Sequence, residues 1–229
     1  MFTFILITGM QAQEQKEATY PKISFFDANI SIFTPQGRFK SNVVNPKVGL
    51  TLGYIRQYKA EMPFFIGAEF SYNSLGSADD RFTELLDFDL VDFDYSTTSS
   101  LFGFNGRFLF FPNFHIGDLE FSLEGKLGFK WLLTTTSKTA VDDLDSSSSN
   151  VNKGDLSLTY GIAAGMNFPI APNIYLNFKL NYLPGLSAAY YTIDPTNRVQ
   201  SSTLDYFRLR NSNTDLIRWD LGLMFSPSW

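Results

Sequence analysis

Alternation of apolar and polar positions dominates the chain, and its clearest run lies between Asp118 and Leu133. Leu119, Phe121, Leu123, Leu127, Phe129, Trp131 and Leu133 share one parity, while Glu120, Ser122, Glu124, Lys126 and Lys130 share the other. A period of two sends successive side chains to opposite faces, which a strand does and a helix does not. Ile174 to Leu183 repeats the rule, with Ile174, Leu176, Phe178, Leu180 and Tyr182 opposite Tyr175, Asn177, Lys179 and Asn181. Leu156 to Phe168 follows it too. In the C-terminal run, Ile217, Trp219, Leu221, Leu223 and Phe225 alternate with Arg218, Asp220, Gly222 and Met224. Phe25 to Phe33, Val48 to Gln57, Phe64 to Tyr72 and Leu101 to Phe111 keep parity less strictly, which brings the predicted strands to eight.

The connections alternate in length. Short ones fall at Tyr58 to Pro63, Pro112 to Gly117 and Pro169 to Asn173; long ones at Thr34 to Lys47, Asn73 to Ser99, Thr134 to Gly154 and Pro184 to Asn213. This rhythm predicts an all-β, single-domain fold: an eight-stranded antiparallel up-and-down transmembrane β-barrel. With the N-terminus inside, the short turns and termini are periplasmic and the long loops extracellular.

Composition narrows the reading. Aromatics make up 17% of the 229 residues and charged residues 18%, the latter below the roughly 25% of soluble domains. A mean hydropathy of -0.07 and the lack of any run of about 20 apolar residues exclude a bundle of membrane helices. The net charge of -5 gives a nucleic-acid partner no basic footprint. The absence of cysteine removes disulfides, thiolate metal sites and a lipidated cysteine. The apolar start, Met1-Phe-Thr-Phe-Ile-Leu-Ile, followed by Thr-Gly-Met-Gln-Ala-Gln, reads as the end of an export signal. The expected organisation is therefore 1–13 a truncated signal peptide, 14–24 a periplasmic N-terminal segment and 25–229 the barrel.

Charge decides which face meets lipid. The apolar faces carry no charge, whereas the opposite faces hold Asp27, Glu69, Glu120, Glu124 and Asp220 against Arg107, Lys126, Lys130, Lys179 and Arg218, five acids and five bases. A closed interior demands such balance, because an unpaired buried charge costs several kcal/mol or more. Glycines at positions 49, 53, 67, 103, 161 and 165 on the same face leave room for long basic side chains. Turning the apolar faces inward would overfill a bore that side chains already fill at eight strands. Tyr72, Trp131, Tyr160 and Tyr182 toward one rim, and Tyr54, Phe64, Phe110 and Phe168 toward the other, match aromatic girdles.

Three stretches carry a family resemblance: Ser31-Ile-Phe-Thr-Pro-Gln-Gly-Arg-Phe39, Ile66-Gly-Ala-Glu-Phe-Ser-Tyr72 and Trp219-Asp-Leu-Gly-Leu-Met-Phe225. With them the chain resembles the small outer-membrane β-barrel proteins related to OmpA, OmpX and OmpW, in the form common among Bacteroidota. The resemblance implies contact with outer-membrane lipid and lipopolysaccharide. It also implies insertion by the barrel-assembly machinery, which would read Trp219, Leu221, Leu223 and Phe225, with Trp229 beyond them, as the assembly signal.

Candidate chemistry is sparse. The one histidine, His115, lies in a predicted periplasmic turn and reads as a solvated turn residue, not as a base. From Asn73 to Ser99 seven acids face one base, and Asp87, Asp89, Asp92 and Asp94 are spaced as oxygen ligands for Ca²⁺, which takes about six to eight. A solvated acidic loop with Phe88, Leu90 and Phe93 against the rim is the plainer reading. Asp142, Asp143, Asp145 and the Ser146-Ser-Ser-Ser-Asn150 run read as mobile surface. Lumen charges such as Glu124 and Lys126 line a conduit or, as interiors of this size usually do, a packed core. No cofactor is expected. The expected role is a non-enzymatic barrel with long extracellular loops, a structural or accessory subunit of the envelope and a candidate member of a larger outer-membrane complex. A narrow channel for small or hydrophobic molecules is the alternative, and a lipid A-modifying enzyme a third.

Overall fold

The computed structural model describes residues 22–43, 45–86, 89–112, 114–141, 147–194 and 202–227. The expected signal peptide 1–13, most of the 14–24 segment, Asp87, Phe88, Asp142, Asp143, Asp145, Ser146 and Trp229 lie outside them. In chain order the elements are β1 (Ser24–Pro35), α1 (Gly37–Asn42), β2 (Lys47–Gln57), β3 (Phe64–Leu86), β4 (Asp89–Phe110), β5 (His115–Ile116), β6 (Leu119–Ala140), β7 (Ser147–Ala171), β8 (Ile174–Leu183), β9 (Ser187–Ile193), a short 3₁₀ turn (Thr203–Tyr206), β10 (Phe207–Asn213) and β11 (Leu216–Phe225).

β1 to β4 and β6 to β8 pair antiparallel in sequence order, β4 pairs with β6, β8 with β11, and β11 with β1, so eight strands close into a ring. Closure removes the free edges that would otherwise leave backbone polar groups unsatisfied in lipid. Tracing cross-strand partners from Asn167 leads through Asn177, Gly222, Asn29, Thr51, Ser71, Gly103 and Lys130 to Ser157, ten residues back along the β7 strand on which it began. That stagger tilts the strands, as a small closed barrel requires. Every residue on the path points into the bore, whereas Leu127, Tyr160, Ile162 and Tyr182 of the other parity are exposed on the outside. The predicted lipid face is the outer face.

The described residues of two predicted long loops lie almost entirely in strands. β3 and β4 stay paired out to Leu86 and Asp89, and β6 pairs with β4 to Ala140 and with β7 to Ser147. The barrel wall thus runs on as a four-stranded sheet where 73–99 and 134–154 were expected to loop out. These segments are polar but β-branched and still alternate. Thr97 and Thr136 face inward and the Thr98–Thr135 pair faces outward, so their polarity records water on the outside and not an absence of strand. Phe93 is buried as expected, but Leu90, expected against the rim, is 76% exposed near the hairpin tip. The last long connection contains the β9–β10 hairpin, and the first contains α1.

The bore is filled in layers. Ile55, Phe65 and Leu109, with Phe25 and Phe111 packed against them, close the short-turn end. Charged groups follow, and above them Phe33, Leu183 and Leu216 form a second apolar layer. At the long-connection end, Phe39 and Val43 from α1 and its C-cap meet Ala188 and Tyr190 of β9 against Leu75, Leu101 and Leu132 of the wall. Burying each large apolar side chain is worth about 1.5–3 kcal/mol, so α1 and the β9–β10 hairpin are held in the mouth as a plug. The Tyr190 hydroxyl is satisfied there, lying 2.6 Å from Ser212 Oγ and accepting from Asn42 Nδ2 at 2.9 Å.

Candidate functional site

The distinctive chemistry sits in the middle of the bore, because inward parity brings the charged residues of six strands to one level. Arg107 of β4 is its hub. Its Nη1 lies 2.5 Å from Asp27 Oδ2, and its Nη2 and Nε donate to the two oxygens of Glu124 at 2.7 and 3.1 Å. Lys126 Nζ lies 2.6 Å from Glu69 and 3.3 Å from Glu124, and donates to Asn181 Oδ1 at 2.6 Å. Lys179 reaches Asp27 at 3.1 Å. Arg218 binds Glu69 at 2.8 Å and Asp220 at 2.9 Å.

All eight side chains are buried, so none can keep its hydration shell. Mutual attraction in a low-dielectric interior offsets that loss only when geometry is good and the remaining lone pairs are used. Neutral partners use most of them. Asp220 accepts from Ser31 Oγ at 2.6 Å and from Asn181 Nδ2 at 2.9 Å, and Glu69 accepts from Asn105 Nδ2 at 3.1 Å. Among the described residues, Arg218 Nη1 and the amide oxygens of Asn29, Asn105 and Asn177 have no protein partner. Gly53 makes room for the hub: a Cβ there would stand 2.3 Å from Arg107 Nη1 and 2.6 Å from Asp27 Oδ2.

Eight of the ten predicted lumen charges therefore meet: Asp27, Glu69, Glu124 and Asp220 with Arg107, Lys126, Lys179 and Arg218. The other two stand apart. Lys130 is buried but pairs with no carboxylate among the described residues; its Nζ donates to the carbonyls of Leu183 at 2.7 Å and Thr214 at 2.5 Å, the two ends of the connection that carries the plug hairpin. Glu120 is exposed at the short-turn mouth, because it lies next to the first residue of β6, before the wall closes around it.

Of the acidic residues considered for Ca²⁺, Asp92 and Asp94 have described side chains, and each has its own partner. Asp94 is held by Arg81 at 2.7 Å and Asp92 accepts from Thr83 at 2.6 Å. Asp87 and the side chain of Asp89 lie outside the description, as does the side chain of His115, whose backbone forms the two-residue strand β5. Trp219, Leu221, Leu223 and Phe225 point outward toward lipid, with Phe225 stacked on Phe26 at 5.3 Å where the ring closes. Sequence reasoning missed a latch above the membrane. Lys138 of β6 lies 2.6 Å from Glu84 of β3 and 3.8 Å over the Phe93 ring, while the Tyr95 hydroxyl donates to the same Glu84. The hydrogen bond from Lys138, then that from Tyr95, lowers the Glu84 carboxyl below its usual range. The alternation of Val91, Phe93 and Tyr95 with Asp92 and Asp94 was a signal that could have revealed part of it.

Three comparisons bear on this architecture. No curated protein matches the chain. Among solved structures, a major outer membrane protein from Thermus thermophilus is 11% identical with a TM-score of 0.49, covering 91% of this chain and 100% of that one. Neisserial surface protein A is 10% identical with a TM-score of 0.40, covering 91% and 97%. Ail, the attachment invasion locus protein of Yersinia pestis, is 18% identical with a TM-score of 0.32, covering 90% and 97%. The family model described as outer membrane protein beta-barrel domain matches residues 1–207. With a ring closed between β1 and β11, a largely apolar outer face and that match, the chain belongs to the outer membrane protein beta-barrel domain family and is a protein of the outer membrane.

Proposed function

We propose that this protein is a non-enzymatic, non-conducting barrel that displays an ordered surface outside the cell, as a structural or interaction subunit of the envelope. One observation carries the reading: the bore is shut at successive levels by apolar layers and paired charges, while the wall strands continue past it as a four-stranded sheet. A conduit needs water along its length, and eight-stranded interiors of this kind are packed by side chains. Eight ionisable groups of the bore are occupied with one another and Lys130 with two backbone carbonyls, which leaves them unsuited to proton transfer on a substrate.

In this reading the long-connection side faces outward, as short periplasmic turns and long outer loops do in bacterial barrels. The outer face of the sheet supports it. Just beyond the aromatic pair Phe102 and Trp131, the wall turns from apolar to hydroxyl-bearing, with Thr98 opposite Thr135 and Ser96 opposite Ser137, a surface suited to lipopolysaccharide headgroups. Insertion would use the barrel-assembly machinery, with the strand ending at Phe225 as its signal.

Planar-bilayer recording on the purified barrel, paired with labelling of a Leu85→Cys variant by a membrane-impermeant maleimide on intact cells, tests both halves. The expected result is no channel activity and strong surface labelling. Steady conductance would favour a narrow channel instead, and labelling only after the outer membrane is permeabilised would reverse the orientation.

A further inference from the structure

Glu120 has the parity of the lumen network but takes no part in it, and the space it faces is built unlike the rest of the bore. At the short-turn end lies an open cavity of about 810 Å³, within the range of small-molecule sites. Its floor is aromatic. Phe25 stands 5.7 Å from Phe65, 6.3 Å from Phe111 and 6.0 Å from Tyr175, centroid to centroid, with Phe65 and Phe111 edge to face at 5.2 Å. Met62, Pro63 and Pro112 from the turns add apolar wall. Around the mouth stand three carboxylates, Glu61, Asp118 and Glu120, and none of the described lining residues is basic.

We propose that this vestibule binds a small organic cation with an apolar body, an aryl- or alkylammonium. The argument is one of complementarity. Aromatic faces are the negative ends of their quadrupoles, and rings gathered around one space attract an ammonium group that they also desolvate. The apolar part packs on Phe25, Phe111 and Tyr175, while Glu120 and Asp118 supply full negative charge at the rim. A neutral apolar molecule gains only the floor, and an anion meets three like charges. The site is blind: Asp27 and Arg107 seal the bore above it, so the ligand is held and not passed through. The inference is independent of which way the long connections face.

The test uses the full chain in nanodiscs of zwitterionic lipid, titrated with benzyltrimethylammonium and followed by saturation-transfer NMR. The work is done near pH 8, well above the ordinary carboxyl range of about 4, so that the rim carboxylates carry full charge. Saturable binding at one site per barrel is expected, weakened at least about fivefold by Glu120→Gln combined with Asp118→Asn. Both residues are exposed, so the fold is unaffected, and unchanged migration of unheated samples on detergent gels checks this. Phe111→Leu should weaken binding comparably, and benzenesulfonate should not bind. Titration no different from empty nanodiscs, binding indifferent to the loss of both carboxylates, or equal uptake of benzenesulfonate would each overturn the assignment.

Discussion

Arg107 of β4 meets Asp27 of β1 across the bore, Nη1 to Oδ2 at 2.5 Å, although two other strands separate them in the wall. The contact ties opposite sides of the ring together. Because Glu124, Glu69 and Lys179 converge on the same point, its loss cannot be absorbed locally.

Arg107→Met should therefore destabilise the barrel by about 3–5 kcal/mol, the usual cost of stranding buried charge. The measure is the urea midpoint of the barrel in lipid vesicles. Adding Glu124→Leu restores the balance of acids and bases and should recover part of the loss. A single variant as stable as the parent would mean that water, and not Arg107, neutralises these carboxylates.

Lys130→Met should loosen the plug and spare the wall. Two buried carbonyls, those of Leu183 and Thr214, lose a charged donor, worth about 1.5–3 kcal/mol for each such bond. Limited proteolysis should then cut the connection between β8 and β11 faster, with the heat-modified gel shift retained. Equal cleavage rates would show that the apolar packing of Phe39 and Tyr190 suffices alone.

The Glu84 latch gives the outer sheet a pH window. Hydrogen bonding from Lys138 lowers the Glu84 carboxyl below its ordinary 4.5, so its contribution is present above that value and disappears as pH falls through the lowered one. The Lys138 ammonium, raised above 10.5 chiefly by its bond to Glu84, contributes below 10.5 and loses its part as pH climbs through the raised value. Tyr95 is raised above 10.0 by burial and then by Glu84, and acts in the same direction. Protection from amide exchange across residues 82–86 and 89–95, taken relative to the intrinsic rate at each pH, should be flat between these limits and fall outside them. Glu84→Gln should raise exchange slightly throughout, since partly exposed pairs are worth about 1 kcal/mol or less.

Glycine substitutions should divide by environment. A Cβ at Gly67 would stand 1.9 Å from the Tyr54 carbonyl oxygen, a backbone atom that cannot move without its strand, whereas nothing lies within 4 Å of a Cβ at Gly125 on the outer face. Gly67→Ala should cost about 1–3 kcal/mol as an overpacked site and slow refolding into vesicles. Gly125→Ala should be neutral or mildly stabilising by the same assay, and a reversed order would contradict the close approach of β2 and β3.

How far the sequence reached is clearest at Lys126 and Lys130. Both were legible as lumen residues, because parity along β6 is local and survives whatever the neighbours do. Their partners were not legible. Lys126 finds Glu69 two strands away, and Lys130 finds only carbonyls, since partner choice depends on the ten-residue stagger of the ring, which no single strand encodes. Glu120 shows the same limit from the other side: its parity is inward, but its exposure depends on where the wall ends. The 73–99 and 134–154 segments read as loops in the sequence because polarity there mimics a turn, whereas in a strand standing clear of the membrane both faces can be polar.

The sequence by itself determined that eight strands alternate, that one face is predominantly apolar and that acids balance bases on the other. These follow from residue types and a period of two. Only the tertiary structure decided which charges meet, that a helix and hairpin stop the mouth, that the strands outrun the bilayer, and that an aromatic vestibule with an acidic rim remains open at the short-turn end. Those depend on distances between residues far apart in the chain, and distance is set by closure, tilt and packing.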